Sequence, residues 1–422
     1  MAFSGGPDST ALLHALAQLP EARSRSLCAL HVDHGLHPDS GRWAEHCRAF
    51  CQSLGVPLAT LRVTVDDPLG EGIEAAARRA RYAAFAEDLR AGEWLALAHH
   101  RDDQVETVLL KLLRGAGPEG LGGMRPQRPC GRGQLWRPLL ETPRETLCNY
   151  LTKQGISAID DPANREPRFV RNVLRQEVLP TLDLHWPQAR AAILHTAKLC
   201  RTAADHIAQE AASRLDVLRL RDGALDADGW LALPDALRAP VLDAWLHALG
   251  LPIPPDAPRR ELERQTAQAA DDRVPVIAWP GAEVRVWDMQ LHATPPLPPL
   301  PEGWQATWNG APLALPAGCG VLRLVTTNEA DAGANLEPPL TLCFRRGGER
   351  IKPAGDPHTR ELRDLFQHAR IPPWLRPRCP LVFENGVLIA VADLWSSARG
   401  KAIFDGCGAR PSWQRPPWLN AS

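Results

Sequence analysis

The chain has 422 residues, which is too long for one hydrophobic core, so we expect two to four domains. Lysine and arginine number 48 against 49 aspartate and glutamate, and the net charge of −1 excludes a uniformly basic nucleic-acid-binding protein. No apolar run predicts a membrane span or a secretory leader, and ten scattered cysteines without a Cys-x-x-Cys pair argue against zinc and iron–sulfur sites. These features favour a cytoplasmic protein whose RNA contacts, where present, come from local basic patches.

A glycine-rich loop lies near the start of the chain, before an apolar helical pattern over 11–17. Its sequence is Ser4-Gly5-Gly6-Pro7-Asp8-Ser9-Thr10. Glycines let backbone N–H groups approach an anion, hydroxyls add donors, and the N-terminus of the following helix favours negative charge. The lysine of the common nucleotide-binding motif is absent, so the alternatives are a different phosphate-binding loop and a chance turn. Only Met1–Phe3 precede the loop, so the first strand is either short or begins upstream.

The loop resembles the pyrophosphate-binding loop of the PP-loop ATP pyrophosphatases. These enzymes split ATP into AMP and pyrophosphate, adenylate an oxygen, and then displace AMP with a nitrogen or sulfur nucleophile. The resemblance implies that residues 4–10 bind ATP and that Asp8 helps to place Mg²⁺.

Strands and helices alternate over the first 185 residues. Apolar runs over 26–32, 57–65 and 93–98 predict strands with helical patterns between them. This alternation predicts an α/β fold with a doubly wound, mostly parallel sheet. Ligands bind at the carboxyl ends of such strands, so we expect His31 and Asp33 beside the nucleoside.

Two groups of charged residues lie on predicted helices. Glu74, Arg78 and Arg81 share one face at i, i+4 and i+7, either as a solvated ion-pair surface or as a substrate contact. Asp103 and Glu106 share a face in the first turn of another helix, where they act either as caps or as a binding pair. Two carboxylates beside a nucleotide suit a cationic amine or Mg²⁺, and an attacking amine with a pKa of about 10.4 needs a proton acceptor.

Several further segments resemble the tRNA(Ile)-lysidine synthetase family. They are His31 to Leu36, Gly72 to Tyr82, Arg114 to Met124, Trp136 to Glu141, Asp160 to Asn164, Arg168 to Arg175 and Arg345 to Glu349. The resemblance covers nearly the whole chain and is weakest over 186–335. It implies ATP and Mg²⁺ as cofactors, and L-lysine and a CAU-bearing tRNA(Ile) as partners. The implied reaction adenylates the cytidine at the first anticodon position and then joins lysine to it, which switches decoding from Met to Ile.

The resemblance also implies roles for individual residues. Asp103 and Glu106 would bind or deprotonate lysine, while Arg114, Arg171 and Arg175 would face the adenylate or the tRNA. The remaining expected substrate and tRNA contacts are Glu74, Arg78, Arg81, Gly115, Gly117, Arg345, Arg346 and Lys352.

Composition and patterning divide the chain into five segments, and the resemblance implies the catalytic and tRNA-recognition roles given to them. They are a catalytic domain over 1–185, a mainly helical tRNA-recognition domain over 186–292, a proline-rich linker with a small β element over 293–335, a basic α+β domain over 336–411, and a tail over 412–422. From Arg345 to Arg378, nine arginines and lysines face four acidic residues, which is the footprint of a polyanion partner.

Two other functions stay open at this point. One is a different PP-loop enzyme acting on tRNA or a small molecule, and the other is a non-catalytic tRNA-binding relative. The sequence also leaves the choice between a monomer and a homodimer open.

Overall fold

The computed structural model describes residues 1–35, 39–66, 72–159, 170–269, 274–326 and 336–416, apart from the side chain of Glu74. The predicted Asp160–Asn164 segment and Arg168 lie outside the described residues. The chain forms two compact units, Met1–His206 and Ile207–Ser422. No described helix is both long and apolar enough to cross a membrane.

The first unit alternates strands and helices, as predicted. Its helices are α1 (Pro7–Gln18), α2 (Pro20–Ser24), α3 (Ser40–Leu54), α4 (Ile73–Asp88), α5 (Arg101–Leu113), α6 (Pro118–Leu121), α7 (Arg144–Gln154), α8 (Val170–Val173), α9 (Leu179–His185) and the start of α10 (Ala189–Leu218), with a π-helical turn at Leu174–Val178. Its strands are β1 (Ala29–Asp33), β2 (Leu58–Arg62), β3 (Trp94–Ala96), β4 (Gln127–Cys130) and β5 (Gly133–Trp136).

The first three residues lie in the middle of the sheet of this unit. The Ala2 N–H donates to Ala96 on β3, and the Phe3 N–H donates to Leu30 on β1. Strand β1 pairs with β2, and β3 with β5, both in parallel, while only β4 runs antiparallel at the edge. Residues 1–3 are therefore hydrogen-bonded on both sides, and the loop after them emerges at the carboxyl edge of a mostly parallel sheet.

Helices cover both faces of this sheet, which confirms the doubly wound prediction. One apolar core includes Phe3, Leu13 of α1 and Cys47 of α3. The other includes Phe85 of α4 and Leu135 of β5. Because helices cover both faces of the sheet, the loop projects from the carboxyl edge of its strands.

The second unit is helical first and then antiparallel. Its helices are the rest of α10, α11 (Ala227–Leu231), α12 (Asp235–Ala248), α13 (Asp256–Ala267), α14 (Leu362–His368) and α15 (Ala398–Gly406). Its strands are β6 (Leu225–Asp226), β7 (Val276–Trp279), β8 (Ala282–Trp287), β9 (Gln290–Thr294), β10 (Gln305–Trp308), β11 (Leu313–Ala314), β12 (Val321–Thr326), β13 (Leu340–Cys343), β14 (Arg350–Ile351), β15 (Arg360–Glu361), β16 (Leu381–Glu384), β17 (Val387–Val391), β18 (Trp395–Ser396) and β19 (Ala409–Gln414).

The sheets of this unit differ from the predicted domain limits. Strand β10 pairs with β13, and β12 pairs with β19, so the segment predicted as a linker belongs to the C-terminal core. The tail predicted from residue 412 begins too early, because β19 continues to Gln414 and Trp413 is buried. The indole of Trp413 donates to the carbonyl of Cys319 at 2.7 Å, which anchors this last strand.

Candidate active site

The glycine-rich loop connects the first short strand to α1 and is closed by its own side chains. The Oγ atoms of Ser4 and Ser9 lie 3.1 Å apart, and Ser9 Oγ donates to the Gly6 carbonyl. The buried Thr10 hydroxyl donates to the Gly5 carbonyl at 3.1 Å. Gly6 caps α1, so the free N–H groups of its first turn form a site for an anion.

Gly5 is fixed by its backbone and by its neighbours. Its φ of +82° lies in the left-handed region, and an added Cβ would lie 2.5 Å from Ile159 Cδ1 and 3.0 Å from Cys47 Sγ. The Ile159 N–H also donates to the Gly5 carbonyl. Any side chain at this position would therefore displace the loop.

Helix α5 begins at the same edge of the sheet with a reciprocal cap. The His100 N–H donates to Asp103 Oδ2 at 3.0 Å, and the Asp103 N–H donates to His100 Nδ1. With Nδ1 accepting, the Nε2–H faces Asp8 Oδ2 at 3.6 Å and Asp103 Oδ2 at 3.5 Å. His100 therefore links the carboxylate of Asp8 in the glycine-rich loop to the first turn of α5.

Glu106, one turn further along α5, is fully buried and paired. Arg175 donates from Nε to Oε1 at 2.8 Å and from Nη2 to Oε2 at 3.1 Å. The same guanidinium lies 3.6 Å from Asp103 Oδ1, while Arg171 donates to Thr107. The predicted Asp103, Glu106, Arg171 and Arg175 therefore do lie together, and Asp103 is both a cap and a member of this cluster.

A cleft of about 470 Å³ joins the loop to this cluster. Its lining includes Ser4, Gly6, Pro7, Asp8, Ser9, His31, Arg81, Tyr82, His99, Asp103, Arg144 and Arg175. His31 is held by a 2.9 Å hydrogen bond between Nδ1 and the Phe3 carbonyl. Gly5, Thr10 and Asp33 are not in the lining. Gly5 and Thr10 support the loop, and Asp33 accepts from the Gly35 N–H.

Adjacent histidines in this cleft have opposite pKa shifts. Burial lowers the pKa of His99 well below its ordinary value, and the nearby Arg137 and Arg78 lower it further. Burial alone would lower the pKa of His100, but its contacts with Asp8 and Asp103 outweigh burial and raise it. His99 is therefore neutral near pH 7, and His100 holds a proton more readily than a free histidine.

The carboxylates respond to the same surroundings. Burial would raise the pKa of Asp8, but His100, Arg144 and Arg175 outweigh it and the pKa is lowered. Burial raises the pKa of Glu106, and the pairing with Arg175 offsets only part of that rise. Asp8 is therefore an ionised carboxylate at the mouth of the phosphate loop.

Family models match each part of this architecture. A PP-loop domain matches residues 1–182, a TilS substrate binding domain matches 225–292, and a TilS substrate C-terminal domain matches 340–413. The tRNA(Ile)-lysidine synthase of Xanthomonas campestris pv. campestris (strain 8004) is 43% identical over 98% of this chain and 94% of its own length. The chain belongs to the tRNA(Ile)-lysidine synthase family.

Other relatives have the same name. The tRNA(Ile)-lysidine synthase of Alkalilimnicola ehrlichii is 43% identical over 94% of this chain and 90% of its own length. The crystal structure of a TilS C-terminal domain is 28% identical, covers 22% of this chain and 84% of that chain, and has a TM-score of 0.18. In this lysidine synthase family member, the cleft described above lies within the ATP-using PP-loop domain.

Three predicted residues of this lysidine synthase lie away from the cluster. Arg114 caps the C-terminal end of α5 and is exposed, about 16 Å along the helix axis from Asp103. Gly115 and Gly117 follow it in an exposed loop with open space around them. These positions suit a contact with the tRNA better than a contact with the adenylate.

The predicted helix face on α4 opens onto two cavities. Arg81 lines the ATP cleft, whereas Arg78 lines a separate groove with Arg128 and Arg137. The side chain of Glu74 lies outside the described residues. Arg78 and Arg81 therefore have different surroundings although they share one helix.

The predicted basic patch of the C-terminal domain is partly neutralised within the chain. Glu349 accepts from the backbone N–H groups of Arg346 and Gly347, and its carboxylate lies 3.4 Å from Arg345. Arg346 and Lys352 are exposed. The Arg-x-Gly-Gly-Glu pattern is thus a turn organised by one carboxylate.

Residues that the sequence did not single out also lie in the cleft or beside it, among them His99, His100, Tyr82, Arg137 and Arg144. The sequence does contain a signal for His100, because this residue directly precedes the acidic first turn of a predicted helix. Arg137 lies in a segment already noted for its family resemblance, but its 4% exposure was not predictable. Arg144 Nε on α7 lies 3.7 Å from Asp8 Oδ1, and no local sequence pattern predicts that contact.

Proposed function

We propose that this chain is an ATP-dependent ligase that joins L-lysine to the 2-position of the cytidine that begins the anticodon of CAU-bearing tRNA(Ile). One observation carries the proposal: the phosphate loop and the Asp103 carboxylate line the same cleft. An amine bound at Asp103 and a nucleotide bound at the loop would lie close enough to react. The proposed tRNA substrate supports a cytoplasmic location for the enzyme.

The loop would hold the pyrophosphate part of ATP. Free N–H groups at the start of α1 and the hydroxyls of Ser4 and Ser9 are suited to the charged oxygens. His31 lines the same cleft and would lie beside the nucleoside. The arrangement supports ATP as the energy source of the reaction.

Asp8 fits Mg²⁺. Its Oδ1 atom is buried without a hydrogen-bond partner among the described residues, and its lowered pKa keeps it ionised. Magnesium is commonly held by one or two carboxylates together with substrate phosphates and water. When bound, the ion would neutralise charge on the departing pyrophosphate, and Asp8 is the residue that would hold it.

Asp103 is the better acceptor for the lysine amine. Both oxygens of Glu106 are engaged by Arg175, whereas the Asp103 Oδ1 atom lies 3.6 Å from that guanidinium, beyond a hydrogen bond. Asp103 also lines the cleft. Glu106 would hold Arg175 in place, and Arg175 would in turn face the adenylate.

The proposed chemistry has two steps. The cytidine O2 attacks the α-phosphorus of ATP, a P–O bond forms, and pyrophosphate leaves. The ε-nitrogen of lysine then attacks C2, AMP leaves with its oxygen, and the proton of the ammonium passes to a carboxylate or to water. Asp103 would orient the amine and accept that proton.

The test is transfer of labelled lysine in the presence of ATP. The substrate is a tRNA(Ile) transcript with a CAU anticodon, and the control is a tRNA(Met) transcript with the same anticodon. We expect incorporation into the first transcript only. No incorporation together with transfer of another group to tRNA would overturn the assignment, and tRNA binding without pyrophosphate release would indicate a non-catalytic relative.

A further inference from the structure

Two cavities in the first unit meet at a single side chain. The ATP cleft and a second groove of about 620 Å³ have one lining residue in common, Tyr82 on α4. The groove lies between α4, the C-terminal half of α5 and the β4–β5 hairpin. The groove and the ATP cleft therefore adjoin at Tyr82.

The groove is strongly cationic. Its lining includes Arg78, Arg79, Lys111, Arg125, Arg128 and Arg137, with Glu119 as the acidic member. Glu119 and Asp205 both pair with Arg125, which neutralises that guanidinium. Within the described part of the chain, no carboxylate lies within ion-pair distance of Lys111 or Arg128. Lys111 and Arg128 therefore carry positive charge in the groove that no described carboxylate neutralises.

Tyr82 is held by the arginines of the groove. The guanidinium groups of Arg78 and Arg128 each lie 4.9 Å from the centroid of its ring. Arg78 also donates to the phenol oxygen at 3.5 Å. Arg137, buried next to it, is fixed by a 2.8 Å hydrogen bond to the Arg125 carbonyl. These contacts fix the ring at the border of the two cavities.

We propose that this groove binds the phosphodiester backbone of the tRNA strand next to the reacting cytidine, and that Tyr82 is the positioning residue past which the base enters the ATP cleft. The proposal rests on the lysidine synthase function proposed above. A polyanion suits a row of arginines and a lysine, and a single strand can turn one base outward. The ring of Tyr82 then offers a flat surface to the base.

The geometry also explains why the two substrates need separate openings. ATP fills the cleft from the phosphate loop, so a cytidine must approach its α-phosphate from another side. Arg171 donates to Thr107 in the groove lining, whereas the charge of Arg175 in the cleft is paired with Glu106, so the positive surface lies in the groove. The strand would follow this surface with its phosphates outside the cleft.

The test compares arginines on one hairpin. Arg128 lies in the groove, and Arg132 is exposed in the turn of the same hairpin, outside the groove lining. R128Q and K111Q should raise the KM for tRNA by about fivefold or more each, and leave the KM for lysine unchanged. Each should also lower the slope of log affinity against log salt by about 0.7, the value for one phosphate contact on a single strand. R132Q should match the wild type in both measurements.

A second pair of variants tests the ring. Y82F keeps the aromatic ring and should keep kcat within about threefold of wild type. Y82A removes the ring and should lower kcat at saturating tRNA at least tenfold. Equal tRNA KM values and salt slopes for R128Q and R132Q, or an unchanged kcat for Y82A, would overturn the groove proposal while wild-type transfer continues. Failure of wild-type lysine transfer to any tRNA would instead overturn the proposed function.

Discussion

The guanidinium of Arg175 and the carboxylate of Glu106 form two parallel hydrogen bonds of 2.8 and 3.1 Å, although 69 residues separate them in the chain. Glu106 is fully buried and Arg175 is about one third exposed. A bidentate pair of this kind fixes the orientation of both groups. It places Arg175 beside Asp103 and leaves Asp103, rather than Glu106, as the carboxylate of α5 that lines the cleft.

Removal of one partner should destabilise the first unit. Arg175→Met leaves a buried carboxylate without its counter-ion, and we expect a loss of about 3 kcal/mol in the free energy of unfolding, measured by urea denaturation. The double variant E106L/R175M should recover most of that loss while remaining inactive. Arg399→Met, which breaks an exposed pair with Glu384, is the control and should change little. Equal stability of R175M and R399M would contradict the structural role of the pair.

Gly5→Ala tests the phosphate loop. The added Cβ would lie 2.5 Å from Ile159 Cδ1, so the loop or the Ile159 side chain must shift, and the φ of +82° strains any side chain in the loop backbone. We expect the KM for ATP to rise at least tenfold in steady-state assays. Gly55→Ala has a similar φ of +65° but open space around it, so it isolates the backbone strain and should leave the KM for ATP unchanged. An unaffected KM in G5A would show that the loop does not bind ATP.

The two adjacent histidines should give opposite pH dependence of stability. The folded pKa of His99 is lowered, so its unfolded state binds more protons and stability falls as pH drops below about 6.5. The folded pKa of His100 is raised, so its stabilisation is present below about 6.5 and is lost as pH rises through the folded pKa. Urea denaturation between pH 5.5 and 8 should therefore show a smaller acid-side loss for H99N and a smaller alkaline-side loss for H100N. The limiting slope for one proton is about 1.4 kcal/mol per pH unit. Identical profiles for the two variants would contradict these assignments.

Glu349→Ala tests the turn of the C-terminal domain. The Glu349 carboxylate accepts from two backbone N–H groups and pairs with Arg345, so its loss should release the turn that presents Arg346. We expect weaker tRNA binding in a filter assay, by about threefold to tenfold, with an unchanged KM for ATP. Glu302→Ala is a suitable control, because this exposed carboxylate precedes β10 in the same domain. A loss of ATP affinity in E349A would place the effect outside this turn.

Local patterns predicted β1, β2 and β3, the helices between them and the shared face of Asp103 and Glu106, but not the hairpin of β4 and β5. Periodicity and the order of strands depend on neighbouring residues, so the loop, Asp103 and Glu106 could be placed on the right elements. The bidentate contact with Arg175 and the contact of Arg144 with Asp8 join distant segments, and no local rule contains that information.

The limits of the C-terminal domain were wrong for a related reason. The composition of 293–335 predicted a linker with a small β element, and that of the residues after 411 predicted a tail, but neither indicates pairing with the C-terminal domain. Their strands form because β12 pairs with β19 over six residues and buries Trp413. Pairing between segments about ninety residues apart outweighs local composition.

The most direct test of the proposed active site separates the two chemical steps in Asp103→Asn. The amide oxygen preserves the cap to the His100 N–H but removes the charge that would hold and deprotonate lysine. In single-turnover experiments with labelled ATP and labelled lysine, we expect this variant to release pyrophosphate and accumulate AMP-linked tRNA, while lysine transfer falls at least a hundredfold. Wild-type lysine transfer by D103N, or an equal loss of pyrophosphate release and lysine transfer, would contradict the assignment of Asp103 to the lysine amine.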